Sequence, residues 1–418
     1  MRILILNSGS SSLKCRLIDY PSATSWKDVD PTTVLQGIVT GIGKEASLKI
    51  SVSQHQPSTS IRHDILNHGQ AVTWVWESLR DFLKQDVKDQ GGRGIAIDAV
   101  GVRVVHGGHR FTQSVVIDNT VLDQIEELSP LAPLHNPPCL EGIYQTRALL
   151  GSRIPIVAVF DTAFHHTLPA YAYTYAIPGQ WTSRHGIRRF GFHGIAHASL
   201  AESYARYTGR PLNELRLITF QLGQGCSVTA IKYGQVVETS MGFSPLEGLV
   251  MGTRSGDLDP AILHYIAGKD HLSLDDLYDQ LNTQSGLLGL SGHSFDMKVL
   301  LQAAHENPDS PAALAIRVFT HRARKYLGAY LAILGGADAV VFGGGIGEHA
   351  PDIRAGICQG MEWCGLKLNS KANLQAPSPK PSSVIPLHEE TSALEISIAG
   401  TDEEAWIGRE TLSHLCNT

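Results

Sequence analysis

The chain has 418 residues, 43% hydrophobic and 18% charged, with a formal net charge of −6 and a pI near 6.3. That length supports two or three domains, and the mildly acidic balance excludes the basic footprint of a nucleic-acid binder. No stretch approaches the roughly 18 apolar residues of a membrane span, and Cys15, Cys139, Cys226, Cys358, Cys364 and Cys416 include no Cys-x-x-Cys pair, so neither a zinc site nor a disulfide framework is expected.

Ile3 to Leu6 is an apolar strand, too short for the roughly 7–15 apolar residues of a signal peptide. A cytoplasmic protein with reduced thiols is therefore expected. Asn7 to Ser12 is a Gly/Ser turn and Leu13 to Ile18 returns, which predicts a hairpin. Lys14, just past the turn, reads either as a partner for a terminal phosphate or as a solvated strand lysine. Ser22 to Asp30 is polar and turn-rich. Arg103 sits between valines in Val102-Arg103-Val104-Val105-His106-Gly107-Gly108. An arginine in such a run needs an anionic partner, either a substrate or a structural carboxylate. Asp161 follows the apolar run Ile156 to Phe160, at the strand end where α/β enzymes place catalytic or Mg²⁺-linked carboxylates.

Histidines cluster beside glycine or proline: His135 in LHNPP, His165 and His166 in AFHHTLP, His193 and His197 in FGFHGIAH. Glycine between the last two argues against one continuous helix. Donation to charge developing on phosphoryl oxygens fits this group better than zinc.

The opening shape then returns. Leu217 to Phe220, the turn Gly223-Gln224-Gly225-Cys226-Ser227 and Val228 to Ile231 form a second hairpin. Placing Gly9 on Gly225 also places Leu6 on Leu222, which points to an internal duplication; chance likeness of two hairpins is the competing reading. Arg254 lies in the glycine-flanked loop Met251-Gly252-Thr253-Arg254-Ser255-Gly256-Asp257, read as functional or as an ordinary solvated arginine. Asp309 to Leu334 has helical spacing. Ala337 to Phe342 is a short buried strand that runs into a loop of glycines, Gly343, Gly344, Gly345 and Gly347, with Ile346 among them. Ala376 to Ser383 is a Pro/Ser-rich surface loop. Asp402-Glu403-Glu404 reads as a carboxylate cluster or as the acidic start of a helix.

Strands alternating with helices give an α/β class. There is no G-x-x-x-x-G-K-[ST], so the chain is not a P-loop protein. Both hairpin turns and the Gly343–Gly347 cluster instead offer backbone N–H groups to an anion. Three such segments point to a nucleotide or polyphosphate.

Taken together, ILILNSGSSSLK, VRVVHGG, LAPLHNPP, AVFDTAFHHTLP, RRFGFHG, TSMGFSPLEGLVMGTRSGDLDPA and GGGIGEH resemble the acetate kinase family, in its order and over nearly the whole chain. The resemblance implies a duplicated two-domain fold of the actin, hexokinase and heat-shock chaperone type (ribonuclease H-like) with an interdomain active-site cleft. It implies domains over residues 1–163, completed by 400–418, and over residues 164–399. It also implies a homodimer that uses ATP/ADP and Mg²⁺, with Mn²⁺ as a substitute, to convert acetate reversibly to acetyl phosphate. Carried over by residue, Asn7, Ser10, Ser12 and Lys14 match the first phosphate-side motif, Asn7 together with Glu403 on the metal side, with Glu404 as the alternative. Arg103 and Arg254 match the arginines that hold carboxylate and phosphoryl group. Asp161 matches the catalytic aspartate, His193 the transition-state histidine, and His135 a second histidine near phosphate. Val105, Leu134, Phe192 and Pro245 match the pocket for the substrate methyl. Gly223, Gln224, Gly225, Asp296, Lys298 and the Gly343–Gly347 cluster match the nucleotide side.

The chain departs from the family at Gln221 and Gln224, where the second hairpin usually reads H-L-G-N-G, and at Lys298, where arginine is usual. All three departures fall on the nucleotide side. Acyl specificity is thus better supported than donor identity. The alternatives are a propionate or butyrate kinase, an acetate kinase with another phosphoryl donor, and a non-catalytic actin-like nucleotide-binding scaffold. The pair Arg103 and Arg254 argues against the last.

Overall fold

In the computed structural model the chain divides into two units, Met1–Phe164 with Glu403–Thr418, and His165–Asp402. The structure describes residues 1–9, 11–21, 31–52, 58–89 and 96–416. Ser10 and the polar segment 22–30 lie outside the described residues.

Among the described residues the first unit has eight strands: β1 (Arg2–Ser8), β2 (Ser12–Asp19), β3 (Thr32–Thr40), β4 (Ala46–Val52), β5 (Ser58–Arg62), β6 (Ala99–Val104), β7 (Val115–Val116) and β8 (Ile156–Phe160). They lie in the order β5-β4-β3-β2-β1-β6-β8-β7. β1 and β2 form the predicted hairpin, Leu6 opposite Cys15 and Asn7 opposite Lys14. β6 and β8 join in parallel. The strand period of two then sorts the side chains. Leu4, Leu6, Val100, Val102, Val104, Ala158 and Phe160 belong to one buried cluster. Their neighbours Asn7, Gly101, Arg103 and Asp161 therefore face the other way, toward the helix Glu403–Cys416. Gly101 shows how close that helix lies: a Cβ there would meet Thr411 Oγ1 at 2.3 Å.

The second unit contains β9 (Arg216–Leu222), β10 (Cys226–Lys232), β11 (Gln235–Thr239), β12 (Ala339–Gly343), β13 (Val384–Pro386) and β14 (Glu395–Ala399). Their order is β11-β10-β9-β12-β14-β13. The antiparallel hairpin β9–β10, flanked by parallel β12 and then β14, repeats β1–β2 flanked by β6 and β8. The hairpin likeness is thus a duplication of topology, and the fold is the duplicated actin/hexokinase type. The helix Gly194–Thr208 packs on β9, β12 and β14 as Glu403–Cys416 packs on β1, β6 and β8.

Two local expectations change. The helix expected from Asp309 starts at Pro311, because Ser310 Oγ caps it by accepting from Ala313 N. The cluster read as a loop, Gly343 to Gly347, is largely helical, since Gly344–His349 forms a short helix directly off β12. Among the described residues no helix is long and apolar enough to cross a membrane.

Candidate functional site

In the first unit Asn7, Arg103 and Asp161 stand at or just past the carboxyl ends of the three parallel strands β1, β6 and β8, where α/β folds gather functional groups. Arg103 Nη2 donates to Asp161 Oδ2 at 2.7 Å, and its Nη1 to Asn7 Oδ1 at 3.3 Å and Ser8 O at 3.2 Å. Asp161 is buried. Burial works against the guanidinium charge, yet Asp161 and Glu403 outweigh it and raise the Arg103 pKa above its ordinary value. The buried strand arginine does have a carboxylate partner, and that partner is itself a candidate site residue.

Asn7 Nδ2 donates to Glu403 Oε2 at 2.7 Å and to Glu404 Oε1 at 2.9 Å. Both acids lie in the first turn of Glu403–Cys416, where they suit the helix dipole. They differ in their neighbours. Glu404 is buried and pairs with Arg16 at 3.4 Å and Lys14 at 3.9 Å. Glu403 is less buried. Lys14 is half exposed, and Glu404 raises its pKa against the opposing effect of burial. His135 precedes the helix Asn136–Leu150. Val105 is buried and Leu134 is 53% exposed. Ser12 Oγ lies 2.7 Å from where a Cβ on Gly9 would sit, so a side chain at Gly9 would strike it.

The second unit gathers His193, Arg254 and the turn Gly223–Gly225. A Cβ at Gly225 would lie 3.2 Å from His193 Nε2 and 3.5 Å from Arg254 Nη1. Glycine there keeps open the space that both polar groups border. Arg254 Nη1 donates to Pro245 O at 3.0 Å, which couples the arginine to a candidate pocket residue. The loop around it is tied back by Gly252 N donating to Gln224 O at 2.9 Å. Gly286, at φ +62°, passes so close that a Cβ would sit 2.3 Å from Met251 O. Arg189 fixes the adjoining segment, donating through Nη1 to the carbonyls of Thr239, Ser240 and Met241, and through Nη2 to Glu247.

His193 adopts φ 57° and ψ 27°, a left-handed backbone uncommon for a residue with a side chain. It is the N-cap of Gly194–Thr208, but its side chain caps nothing. Instead its Nδ1 lies 2.8 Å from Ser227 Oγ. His197 Nε2 reaches the same oxygen at 2.7 Å, and His197 Nδ1 lies 2.8 Å from Thr219 Oγ1. The glycine at 194 thus opens a helix rather than interrupting one, and the His193/His197 pair shares a serine hydroxyl. Among the described residues no cluster of three His, Cys, Asp or Glu could hold a metal ion. Phe192 is buried, and its carbonyl lies 3.0 Å from His165 Nε2.

Gly343 and Gly344 approach the hairpin tightly. A Cβ at Gly344, which has φ +73°, would lie 2.6 Å from Leu222 O. Gly344 N donates to Glu348 Oε1 and Thr401 Oγ1, while Gly345 borders open space. Gly347 is buried, Ile346 half-buried. Gln221 accepts from Thr401 Oγ1 at 3.4 Å. Asp296 caps the helix Met297–Glu306 through Lys298 N at 2.8 Å, and both residues are exposed.

Sequence reasoning passed over Ser227, Thr401 and Arg354. Arg354 is fully buried and donates to the carbonyls of Gly347 and Glu348, which fixes the end of the glycine helix. An arginine amid Ile353, Ile357 and Cys358 carried the same signal as Arg103.

A duplicated fold bearing two anchored arginines, a histidine and glycine-rich turns defines a phosphotransferase of the actin/hexokinase type. Comparison with known proteins narrows that class. The acetokinase family profile matches residues 2–409. The acetate kinase of Chloroherpeton thalassium is 44% identical, over 98% of each chain. That of Solibacter usitatus is 46% identical, over 99% of this chain and 98% of its own. Among solved structures, Porphyromonas gingivalis acetate kinase superposes with a TM-score of 0.85 at 36% identity, and a Francisella tularensis propionate kinase with 0.86 at 36%; each comparison covers 99% of both chains. The chain belongs to the acetokinase family and is a kinase that transfers phosphate to a carboxylate.

Proposed function

We propose that this chain is an acetate kinase that transfers the γ-phosphoryl group of ATP to acetate, reversibly, by direct in-line displacement. The observation that supports this best is that each candidate arginine is held in place by its own unit, Arg103 by Asp161, Asn7 and Ser8 O, and Arg254 by Pro245 O. Such anchoring pre-orients a planar donor for carboxylate or phosphoryl oxygens.

A carboxylate near neutral pH is already deprotonated, so the reaction needs no strong general base. An acetate oxygen attacks the γ-phosphorus, the bond to the bridging oxygen breaks, and ADP leaves with that electron pair. The protein supplies position and neutralisation. Arg103 and Arg254 hold acetate and the transferring group. His193 donates to the equatorial oxygens, and Asp161 orients Arg103. By the family resemblance, Val105, Leu134, Phe192 and Pro245 are the residues assigned to the methyl. Ser12 and Lys14, with His135, serve the phosphates. The turn Gly223–Gly225 and the cluster Gly343–Gly347 cradle the nucleotide, with Asp296 and Lys298 toward adenosine.

The oxygen donors of the first unit suit Mg²⁺ brought in by the nucleotide, since that ion is commonly held by one or two carboxylates plus substrate phosphates. Glu403 with Asn7 is the better choice, because Glu404 is already neutralised by Arg16 and Lys14. Bound there, Mg²⁺ would neutralise charge on the phosphates.

The equal likeness to a propionate kinase keeps chain length open to measurement, as one methylene is worth only about 1–3 kcal/mol. The test is acyl phosphate formation from acetate, propionate and butyrate, each with ATP, GTP or pyrophosphate. Fastest turnover with acetate and ATP is expected. Turnover with pyrophosphate alone would relocate the donor, and no turnover with any pair would overturn the reading.

A further inference from the structure

Ser227 is fully buried, as are His197 and Thr219, and each bond in the chain Thr219–His197–Ser227–His193 is 2.8 Å or shorter. Burial, then the neighbouring His165 and His193, hold the His197 pKa well below its ordinary value, so this ring is neutral near pH 7. A neutral imidazole carries one N–H, and Ser227 Oγ has one proton to give. With the Ser227 Oγ proton given to one of the two histidines, as burial favours, the chain runs in one of two directions. In one, Thr219 Oγ–H donates to His197 Nδ1, His197 Nε2–H to Ser227 Oγ, and Ser227 Oγ–H to His193 Nδ1. In the other every donor reverses, and a neutral His193 would carry its proton on Nδ1 and present a bare Nε2. A bare nitrogen beside phosphoryl oxygens would repel them. The surroundings of His193 Nε2 also matter, since Arg254 brings a positive charge to the same space beside Gly225.

We propose that Ser227 and His197 are positioning residues that fix the tautomer of His193, holding it neutral with its proton on Nε2, the nitrogen that borders Gly225. Histidine tautomers are set by the bond the other nitrogen makes, and here that bond comes from a buried hydroxyl oriented by a second buried histidine. The left-handed backbone of His193 turns its side chain into this chain of bonds, a use for a conformation that is otherwise unfavourable. The inference rests on reading His193 as a phosphoryl-side donor.

The test is ¹⁵N NMR of histidine-labelled resting enzyme at pH 8, with His193 assigned by its loss in His193→Asn. An acceptor-type Nδ1 and an N–H-type Nε2 are expected. A protonated Nδ1 with a bare Nε2, or a ring carrying both protons, would overturn the proposal without any variant of Ser227. In Ser227→Ala the signature should move toward a tautomer mixture, and kcat should fall at least roughly tenfold with nucleotide KM little changed. Ser227→Thr should restore both readouts. Loss of kcat in Ser227→Ala with an unchanged tautomer signature would leave Ser227 a purely structural role and also overturn the proposal. The tautomer is read without turnover, so an inactive protein with the expected signature would sink the acetate kinase reading and not this one.

Discussion

The same strand order appears twice, yet the two copies hold their polar groups by opposite means. In the first unit the helix Glu403–Cys416 brings two acids to the ends of β1, β6 and β8, and the buried charges there have counter-charges: Arg103 has Asp161, and Glu404 has Arg16 and Lys14. In the second unit the corresponding helix, Gly194–Thr208, opens with two histidines, fixed by the neutral hydroxyls of Ser227 and Thr219. Charge networks hold geometry firmly but fail badly when one member is removed, because the other is left buried and unpaired. A neutral relay tolerates burial at lower cost, and its output is a proton position rather than a charge.

The sharpest way to break this comparison is to remove one arginine from each copy. Arg103→Ala takes the guanidinium away from buried Asp161. It should abolish turnover and also destabilise the first unit by about 3–5 kcal/mol, read as a lower urea midpoint. Arg254→Ala removes a guanidinium held by a carbonyl, so the fold should persist while kcat drops by about 10²–10³-fold. Equal stability losses in the two variants would erase the proposed contrast, and a near-normal kcat in Arg254→Ala would remove that arginine from the clamp.

Within the first unit the two adjacent acids should separate. Glu404→Gln strips the partner from Arg16 and Lys14 and should cost stability. Glu403→Gln should leave the midpoint nearly unchanged and raise the Mg²⁺ concentration needed for half-maximal rate. An unchanged Mg²⁺ requirement in Glu403→Gln would take that residue off the metal.

How far the sequence reached follows from the same contrast. Charged anchors were legible: an arginine between valines, Arg103, asks for an anionic partner, and Asp161 is marked by its place just after the apolar run Ile156 to Phe160. The repeated hairpin was legible because glycine turns between apolar runs leave a pattern. Ser227 was not, since a serine after a glycine turn looks like any other. Its importance comes from two histidines reaching one oxygen across the helix–sheet contact. Glycine between His193 and His197 misled for a related reason: local propensity penalises it inside a helix, while the structure uses it at the first helical position. Residues 343–347 read as a loop on propensity; Gly343 instead ends β12 and Gly344 onward is helical, with support from Arg354, Glu348 and Thr401.

The relay has a signature in stability. His197 stays neutral in the folded chain, whereas in the unfolded chain it titrates near 6.5. Above pH 6.5 both states are neutral and the contribution is intact. As pH falls below that value the unfolded state takes up a proton that the folded state refuses, so stability should decline by up to about 1.4 kcal/mol per pH unit from this residue alone. Urea unfolding at pH 7.5, 6.5 and 5.5 should show that slope in the wild type and a shallower one in His197→Gln. Identical slopes would mean that His197 accepts its proton in the folded state.

The smallest effect is expected at Gln224, where the family usually has asparagine. Its carbonyl holds Gly252 N, and so the Arg254 loop, while its side chain is exposed. Gln224→Asn keeps the backbone bond and shortens only the side chain, so it should leave kcat and the Arg254 geometry alone. If the longer amide overshoots the nucleotide, the change should lower the KM for ATP by the value of one hydrogen bond, about 0.5–1.5 kcal/mol or roughly 2–10-fold. A lower kcat would instead show that the turn transmits side-chain changes to Arg254. An unchanged KM would show that the nucleotide contacts at this turn are made by backbone N–H groups, for which glutamine and asparagine are equivalent.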